Sequence, residues 1–375
     1  MKKYLEKYKF ETLIIFILFI FSLLNISKGY LLKKEYSSFL NKQIMWITIG
    51  IILYILIYKI NIKRIFKLRF ILYAINVFLL LYVLLFSKSI NNVKAWINIK
   101  GFTLQPSEFI KITYPFCAIK EINNKKFILP TILFLIPFTL ILLEPDTGNA
   151  VLLLLIYLYL IINKNNKKYI YGVLFIFASL FLILLYTFNN KEKILINIFH
   201  GKLYYRFKRI IDFKNNYQVN NALIGIGNAK AFPISLKNII IYIPEGLTDF
   251  MFSFHICNFG YVLGFFIIFL YYSFIYLNIK KYQKEKYKFK KKLIGSFLTV
   301  FIIQIIYNIF MNIGLLPIMG IPMPLVSYGG SNIISYLIFY SLINKKISSI
   351  EDKDNNNYKN NFHKVLVDKN IHSYN

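Results

Sequence analysis

Cysteine is nearly absent from this sequence, which has two, Cys117 and Cys257, among its 375 residues. Each lies inside or beside an apolar run, where a free cysteine behaves as a small hydrophobic side chain. Disulfide frameworks and thiolate metal clusters both need more cysteines at short spacings. The sequence therefore argues against a protein held together by disulfides or by a cysteine-bound metal.

Acidic residues are scarce as well, because 16 Asp and Glu stand against 46 Lys and Arg, giving a formal net charge of +30. Only eight acids lie between Phe39 and Glu285, most of them at the ends of apolar runs: Glu108, Glu121, Glu144, Asp146, Glu192, Asp212, Glu245 and Asp249. Ionisable groups at or within a membrane are costly to desolvate and are functional candidates by default. We expect the chemistry of the protein among these eight side chains.

Apolar residues are what the sequence has in abundance, with 57% hydrophobic residues and a mean hydropathy of +0.53. Such a composition excludes a water-soluble globule of this size. Crossing a membrane takes about 20 apolar residues. The candidate spans are roughly 11–29, 44–60, 70–87, 107–121, 128–143, 149–163, 169–187, 249–277, 293–316 and 324–343. The predicted fold class is an all-α polytopic membrane protein of about ten transmembrane helices, in which 107–121 and 149–163 are short and end at a cavity or inside the bundle.

The basic residues are concentrated in segments that face one side of the membrane if the N-terminus is cytoplasmic. These segments are Lys2 to Lys7, Lys59 to Arg69, Lys120 to Lys126, Lys164 to Lys168, and Lys280 to Lys292. This is the positive-inside pattern, which places both termini in the cytoplasm and explains the charge without a nucleic-acid partner. We expect one transmembrane domain over 1–346, followed by a polar, disordered cytoplasmic tail over 347–375.

One connection, about 188–248, is long, polar and basic, and the topology places it outside. Long ordered loops in compact proteins are usually functional. Positive charge near the membrane surface attracts phosphates of a lipid or a substrate. The guanidinium groups of Arg206 and Arg209 suit bidentate phosphate contacts, whereas simple solvation of the loop lysines remains an equal alternative.

A second outside connection, 88–106, contains Trp96 and leads into a helix that begins near Ser107. Ser107 is expected to cap that helix, with Glu108 in its first turn. Lys111 follows Glu108 by three residues, so the two side chains can pair on one face. The pair is either a structural feature of the helix start or part of a polar cavity.

Two further outside connections are rich in turn-forming residues. Pro145 and Gly148 make a tight turn in which Asp146 can cap the next helix. The segment 316–331 contains three prolines and three glycines. Non-helical backbone at membrane depth occurs only where protein buries it or where it lines a cavity, so this segment is predicted to line a cavity.

Taken together, these outside segments resemble the SEDS family of bacterial peptidoglycan polymerases. The resemblance is carried over about 90–335 by five motifs in family order: Ala95-Trp96-Ile97; Gln105-Pro106-Ser107-Glu108 with Lys111; Glu144-Pro145-Asp146-Thr147-Gly148; Pro244-Glu245 with Thr248-Asp249-Phe250; and Gly320-Ile-Pro-Met-Pro-Leu-Val-Ser-Tyr-Gly-Gly-Ser331. The last motif and the Pro-Asp-Thr-Gly run are more similar to the RodA elongation branch than to the FtsW division branch.

The resemblance implies a glycosyltransferase that polymerises lipid II at the outer face of the bacterial cytoplasmic membrane, for cell elongation and shape. It implies membrane lipids and a class B penicillin-binding protein, the crosslinking transpeptidase, as partners. Asp249 and Lys111 match the family's catalytic positions. The substrate-binding candidates are Trp96, Gln105, Glu108, Arg206, Arg209, Glu245, Thr248 and Ser327.

For the reaction that the family implies, the 4-hydroxyl of one GlcNAc attacks the anomeric carbon of another molecule's MurNAc and expels undecaprenyl pyrophosphate. Asp249 is the predicted base, with inversion at the attacked carbon. Lys111, Arg206 and Arg209 are the candidates that compensate the pyrophosphate charge, although Lys111 could instead pair with Asp249 and hold it ionised. A divalent cation on Asp249 or Glu245 is an open alternative, since the sequence has no dedicated ligand cluster.

The sequence also departs from the family pattern. It has Glu144 where a glutamine is expected, Ile241 where an acid is frequent, and Cys257-Asn258 where acids are found. Two other function classes stay open. One is a transporter that carries lipid II across the membrane, because intramembrane charges also mark transport pathways. The other, which the lost acids favour, is a non-catalytic scaffold whose partner polymerises the glycan.

Overall fold

The structure is a computed structural model that describes residues 9–30, 36–88, 94–99, 102–162, 216–232 and 242–345. The predicted span 169–187, Arg206, Arg209, Ile241 and the tail 347–375 lie outside the described residues. In chain order the elements are α1 (Lys9–Tyr30), α2 (Ser37–Lys59), α3 (Ile62–Lys67), α4 (Arg69–Phe86), β1 (Ile97–Ile99), β2 (Phe102–Leu104), α5 (Pro106–Asn123), α6 (Ile128–Leu143), α7 (Thr147–Ile161), α8 (Tyr217–Gly227), α9 (Met251–Lys284), α10 (Lys288–Asn312) and α11 (Gly330–Asn344).

The predicted all-α polytopic fold is confirmed, and in the described part of the chain five helices are long and apolar enough to cross a membrane: α1, α2, α4, α9 and α10. Helices α2 and α4 leave large aliphatic and aromatic side chains exposed along their length, including Ile52, Leu56, Phe78 and Leu85. In water such surfaces would be unstable, so we interpret them as lipid-facing. The number of ten spans stays a prediction.

The shorter helices occupy the middle of the bundle. Helix α5 has 18 residues and α7 has 15, so at 1.5 Å per residue each is shorter than about 30 Å of hydrocarbon. Most residues of α5 are buried, and so are most residues of α11, which lies beside α5. The pattern matches the expectation that the short helices lie inside the bundle, and both α5 and α7 begin at the same end of it.

Several elements in the connections were missed by the sequence prediction: strands β1 and β2 and the helices α3 and α8. Strands β1 and β2 pair antiparallel, with Ile97 opposite Leu104, and they form a small hairpin above the start of α5. Helix α8 lies within the predicted long loop, and its N-cap Asn216 accepts a hydrogen bond from the Gln218 backbone N–H. The sequence did contain a signal for the hairpin and for α8. The alternation of Ile97 and Ile99 is typical of a strand, and the capping residue Asn216 is typical of a helix start.

The predicted span 249–277 corresponds to a helix that is interrupted at Gly260, where φ is +86° and ψ is 169°. At the break the backbone N–H groups of Tyr261 and Val262 donate to the carbonyls of Lys230 and Ala231 at 3.0 and 3.1 Å. A Cβ at Gly260 would lie 2.6 Å from the Ala231 carbonyl oxygen. Only glycine fits this conformation and this close approach.

The predicted span 324–343 was wrong at its beginning, because helix α11 starts at Gly330 and the preceding residues are not helical. Pro322 and Pro324 lack backbone N–H donors, and Leu325 has a φ of +64°. Neither feature is compatible with a continuing helix. The segment instead folds over the end of the bundle.

Candidate functional site

A cavity of about 410 Å³ opens at the end of the bundle where α5, α7, α9 and α11 begin. Its lining comes from the hairpin, the α6–α7 turn, the start of α8 and the two non-helical segments before α9 and α11: Trp96, Thr103, Gln105, Pro145, Asp146, Thr147, Asn216, Gln218, Glu245, Thr248, Asp249, Ile318, Met319, Gly320, Pro322 and Tyr328 to Asn332. The prediction that the proline- and glycine-rich segment lines a cavity is confirmed.

Asp249 lies in the turn that precedes α9, and it lines the cavity while remaining partly buried. One of its carboxylate oxygens faces Gly320, at which an added Cβ would lie 3.7 Å from that oxygen. Burial, together with the neighbouring charges of Glu245 and Asp146, raises the pKa of Asp249 to about 7. The carboxyl group can therefore both hold and release a proton near neutral pH.

The residues before Asp249 form a tight turn. Glu245 has a φ of +53°, and its carboxylate accepts a hydrogen bond from the Thr248 hydroxyl at 2.8 Å. Ser327 is buried and does not line the cavity: its hydroxyl donates to the Thr248 carbonyl at 2.6 Å and accepts from the Met323 N–H at 2.8 Å. Ser327, a substrate-binding candidate from the sequence, thus ties the two non-helical segments together.

Asp146 is a cavity residue that the sequence analysis counted among the scarce acids and interpreted as a helix cap, without naming it as a site residue. The cap is confirmed, since its carboxylate accepts from the Asn149 backbone N–H at 3.2 Å. The same carboxylate also accepts from the side chains of Gln105, Ser107 and Asn149 at 2.8 to 2.9 Å. Asp146 therefore joins the start of α5 to the start of α7 at the wall of the cavity.

The prediction that Ser107 caps α5 was wrong. The helix begins at Pro106, and the N-cap residue Gln105 makes no capping hydrogen bond with its side chain. Proline suits the first helical position because the N–H that it lacks would have no helical partner. The Ser107 hydroxyl is consequently free to donate to Asp146.

Lys111 and Glu108 form the predicted pair, with 2.9 Å between the Lys111 Nζ and a Glu108 carboxylate oxygen, and both side chains are almost fully buried. Lys111 also donates to the Asn149 side chain at 3.0 Å. Glu108 accepts from Asn332 and Ser335 of α11, each at 3.2 Å. Neither residue lines the cavity, so the pair connects α5, α7 and α11 directly beneath it.

Glu144 is fully buried, and within the described residues neither of its carboxylate oxygens has a hydrogen-bond partner. Burial, together with the nearby charge of Asp146, raises its pKa to about 9. Glu144 is consequently protonated at neutral pH. A neutral acid here resembles the glutamine that the family pattern leads one to expect.

The side chains that line the cavity carry negative charge. Asp146, Glu245 and Asp249 are the ionisable lining residues apart from Tyr328, and no lysine or arginine joins them within the described ranges. The structure brings no group of three or more His, Cys, Asp or Glu together as a metal site in the residues it describes. Positive charge for an anionic ligand must come from beyond this lining.

The structure thus brings together five of the predicted site residues in one cavity: Trp96, Gln105, Glu245, Thr248 and Asp249. Glu108, Lys111 and Ser327 lie behind its walls, and Arg206 and Arg209 are outside the described residues. Sequence reasoning missed the polar residues Thr103, Asn216, Gln218 and Asn332. A position next to a helix start, which Asn216 and Asn332 share, is the signal that could have found two of them.

Comparisons with known proteins agree with the resemblance. A family model described as a cell cycle protein, FtsW/RodA/SpoVE, matches residues 6–351. The "Probable peptidoglycan glycosyltransferase FtsW" of Wigglesworthia glossinidia brevipalpis is 30% identical, covering 89% of this chain and 92% of its own. The "Peptidoglycan glycosyltransferase RodA" of Treponema pallidum is 26% identical over 87% of this chain and 93% of its own. Because both names occur among the relatives, the assignment to the elongation branch stays a prediction.

Solved structures share the fold. The crystal structure of the Thermus thermophilus rod shape determining protein RodA has a TM-score of 0.65 at 20% identity and covers 89% of this chain and 94% of its own. A chain from a structure described as "Structural coordination of polymerization and crosslinking by a peptidoglycan synthase complex" has a TM-score of 0.74 at 20% identity, with 89% and 95% covered. At this identity the likeness supports the fold alone.

Proposed function

Since the chain belongs to the FtsW/RodA/SpoVE family of cell cycle proteins, we propose that it is a peptidoglycan glycosyltransferase that polymerises lipid II. The observation that carries the proposal is the position of Asp249. Its carboxyl group lines a cavity at one end of a membrane-embedded bundle and has a pKa of about 7. A base with that pKa is well matched to removing a hydroxyl proton near neutral pH.

In the reaction, the 4-hydroxyl of the acceptor GlcNAc attacks the anomeric carbon of the donor MurNAc. The carbon–oxygen bond to undecaprenyl pyrophosphate breaks as the glycosidic bond forms, and Asp249 takes the hydroxyl proton. One displacement inverts the configuration at the attacked carbon. The pyrophosphate leaves with the bonding electron pair, so its departure depends on positive charge nearby.

Lys111 has a supporting role in this proposal. Its ammonium group is already engaged by Glu108 and Asn149 and does not reach the cavity lining. We infer that it holds the starts of α5 and α7 in register, while Arg206 and Arg209 remain the candidates for contact with the pyrophosphate. Guanidinium groups suit that contact because they bind two phosphate oxygens at once.

The distribution of charge supports a cavity that opens to the outer surface. The end of the bundle opposite the cavity carries the basic α3 and the connections near Lys125 and Lys286. By the positive-inside rule that end is cytoplasmic, and the cavity faces the outer surface. A class B penicillin-binding protein, which crosslinks the glycan, is the partner we propose there, in keeping with the synthase complex that shares this fold.

The experiment is a polymerisation assay with purified protein and labelled lipid II, run with and without the transpeptidase. Asp249→Asn removes the base and keeps the size of the side chain, so we expect glycan formation to fall at least about 100-fold, the lower end of the contribution of a positioned base. Asn278→Leu is the control, because Asn278 is buried in α9 and does not line the cavity, and its amide donates to the Phe274 carbonyl and accepts from Lys281 of its own helix. Polymerisation by Asp249→Asn at the parental rate would refute the assignment.

The purified protein and its Asp249 variants also distinguish the proposed enzyme from the two other function classes. A transporter would move fluorescent lipid II between the leaflets of a liposome and make no glycan. A scaffold would make no glycan alone and would support growth of a depleted strain even as Asp249→Ala. We expect glycan from the parent protein and no growth with Asp249→Ala.

A further inference from the structure

Helix α10 carries three buried side-chain amides on one face, Gln304, Asn308 and Asn312, spaced four residues apart. Residues four apart on a helix lie one above the other along the same stripe. All three amides donate to backbone carbonyls of the non-helical segments or of α10 itself. Burying an amide in a membrane helix costs free energy unless the amide is hydrogen-bonded, so these hydrogen bonds are needed for the folded structure.

Asn308 bridges the two segments that form the cavity around Asp249. Its single NH₂ group donates to the Asp249 carbonyl and to the Ile321 carbonyl, both at 2.8 Å. Ile321 follows Gly320, the residue that faces the Asp249 carboxylate. The two hydrogens of one amide thus fix the distance between the backbone of Asp249 and the segment at Ile321, which forms the opposite wall of the cavity.

Asn312, one turn further along α10, contacts the same backbone carbonyl of Asp249. Its NH₂ group donates to the Asp249 carbonyl at 3.1 Å. Its carbonyl oxygen accepts from the N–H and the hydroxyl of Ser253, at 2.9 and 2.7 Å. Ser253 lies in the first turn of α9, where N–H groups have no helical acceptor, so Asn312 joins Asp249 to the start of that helix.

We propose that Asn308 and Asn312 are positioning residues that hold the Asp249 carboxyl group at the reacting hydroxyl. Their hydrogen bonds to Asp249 go to its backbone carbonyl, which accepts from both side chains and from no other group among the described residues. The inference rests on the proposed function, in which Asp249 is the base. A displacement of about 1 Å in such a group can cost about 100-fold in rate.

The variants are Asn308→Leu and Asn312→Leu, which keep nearly the same shape and remove the amide. Gln304→Met is the matched control. Gln304 lies on the same stripe and donates to the Pro322 carbonyl at 2.8 Å, yet it makes no hydrogen bond to Asp249. Both leucine variants should lower kcat about 10- to 100-fold while KM for lipid II stays within about threefold. The control should keep both constants near those of the parent.

The pH profile distinguishes positioning from general destabilisation. Asp249 must be ionised to act as a base, so kcat rises with pH through its pKa, near 7 in the parent. The charged groups that face it are Glu245 on its own segment and Asp146 at the start of α7, and all the variants retain them. A loosened segment admits water, which lowers the pKa of Asp249 and moves the acidic limb of the profile to lower pH. Loss of folded protein would lower kcat at every pH and leave that limb in place.

The proposal is supported if both leucine variants have a lower kcat and an acidic limb of the pH profile that is displaced to lower pH. Unchanged kcat, a loss with the limb in place, or an equal loss in Gln304→Met overturns it. Should a leucine variant fail to fold, Asn308→Ser, which leaves room for water to replace the amide, must show the same displacement. If Asp249→Asn polymerises normally the proposed function fails, whereas an inactive Asp249→Asn beside normal leucine variants rejects only the positioning role.

Discussion

The carboxyl groups at and beside the cavity differ because their surroundings differ, although each of the four, Glu144, Asp146, Glu245 and Asp249, stands within four positions of another in the sequence. Asp146 accepts hydrogen bonds from three side chains. Asp249 has its pKa near 7, and Glu144 has its pKa near 9 with no partner among the described residues. Groups whose environments separate their pKa values can serve different chemical purposes. Here one acid is structural, one is suited to proton transfer and one is neutral.

Glu144 allows a test through pH-dependent stability. The folded protein keeps a proton on Glu144 up to about pH 9, whereas the unfolded chain loses it above about pH 4.3. Folding therefore takes up a proton between these values, and stability falls as the pH rises through this window. Glu144→Gln removes the dependence, so its melting temperature should exceed that of the parent by a margin that grows from pH 5 to pH 9. A margin that stays constant over this range would mean that Glu144 is ionised in the folded protein.

At the level of single elements, the interruption of α9 positions the start of that helix beneath the cavity. The two carbonyls at Lys230 and Ala231 satisfy the first N–H groups after Gly260, as a capping residue would do in an isolated helix. The segment 216–232 is thereby attached to α9. The attachment depends on a backbone conformation that only glycine adopts readily.

Gly260→Ala should therefore lower the stability of the protein by about 1–3 kcal/mol or more, the usual cost of a strained backbone conformation. The added Cβ would also meet two carbonyl oxygens at 2.6 and 2.8 Å. Gly227→Ala is the control, since no atom lies within 4 Å of a Cβ built at that position. Melting in detergent measures both changes. Equal melting temperatures for the two variants would contradict a requirement for glycine at position 260.

Sequence reasoning found the apolar helices because their length and composition are local properties, and it found the Glu108–Lys111 pair because three residues separate its members. It placed the start of α11 six residues too early, since hydrophobicity alone does not register the prolines and the positive φ at Leu325. Asn308 and Asn312 were missed for another reason. Their importance arises from contact with Asp249, about 60 residues away in the chain, and nothing local in α10 signals it.

At the scale of the whole molecule, the two ends of the bundle are chemically distinct. One end carries the acidic cavity and the non-helical segments, and the other carries basic residues around α3, Lys125 and Lys286. The proposed reaction needs the cavity on the outer side, where the glycan is assembled. The proposed reaction therefore requires one orientation in the membrane, and the positive-inside rule predicts that same orientation from the basic residues.

This orientation can be measured because the two native cysteines are buried, with 0% and 2% of their surface exposed. Gly227→Cys places a thiol in the open at the cavity end, and Lys286→Cys places one at the opposite end, where Lys286 is exposed. In spheroplasts, a membrane-impermeant maleimide should label Gly227→Cys and should reach Lys286→Cys only after permeabilisation, while the parent stays unlabelled. The reverse pattern would place the cavity in the cytoplasm. Asp249 would then be on the wrong side of the membrane for glycan assembly, whatever its pKa.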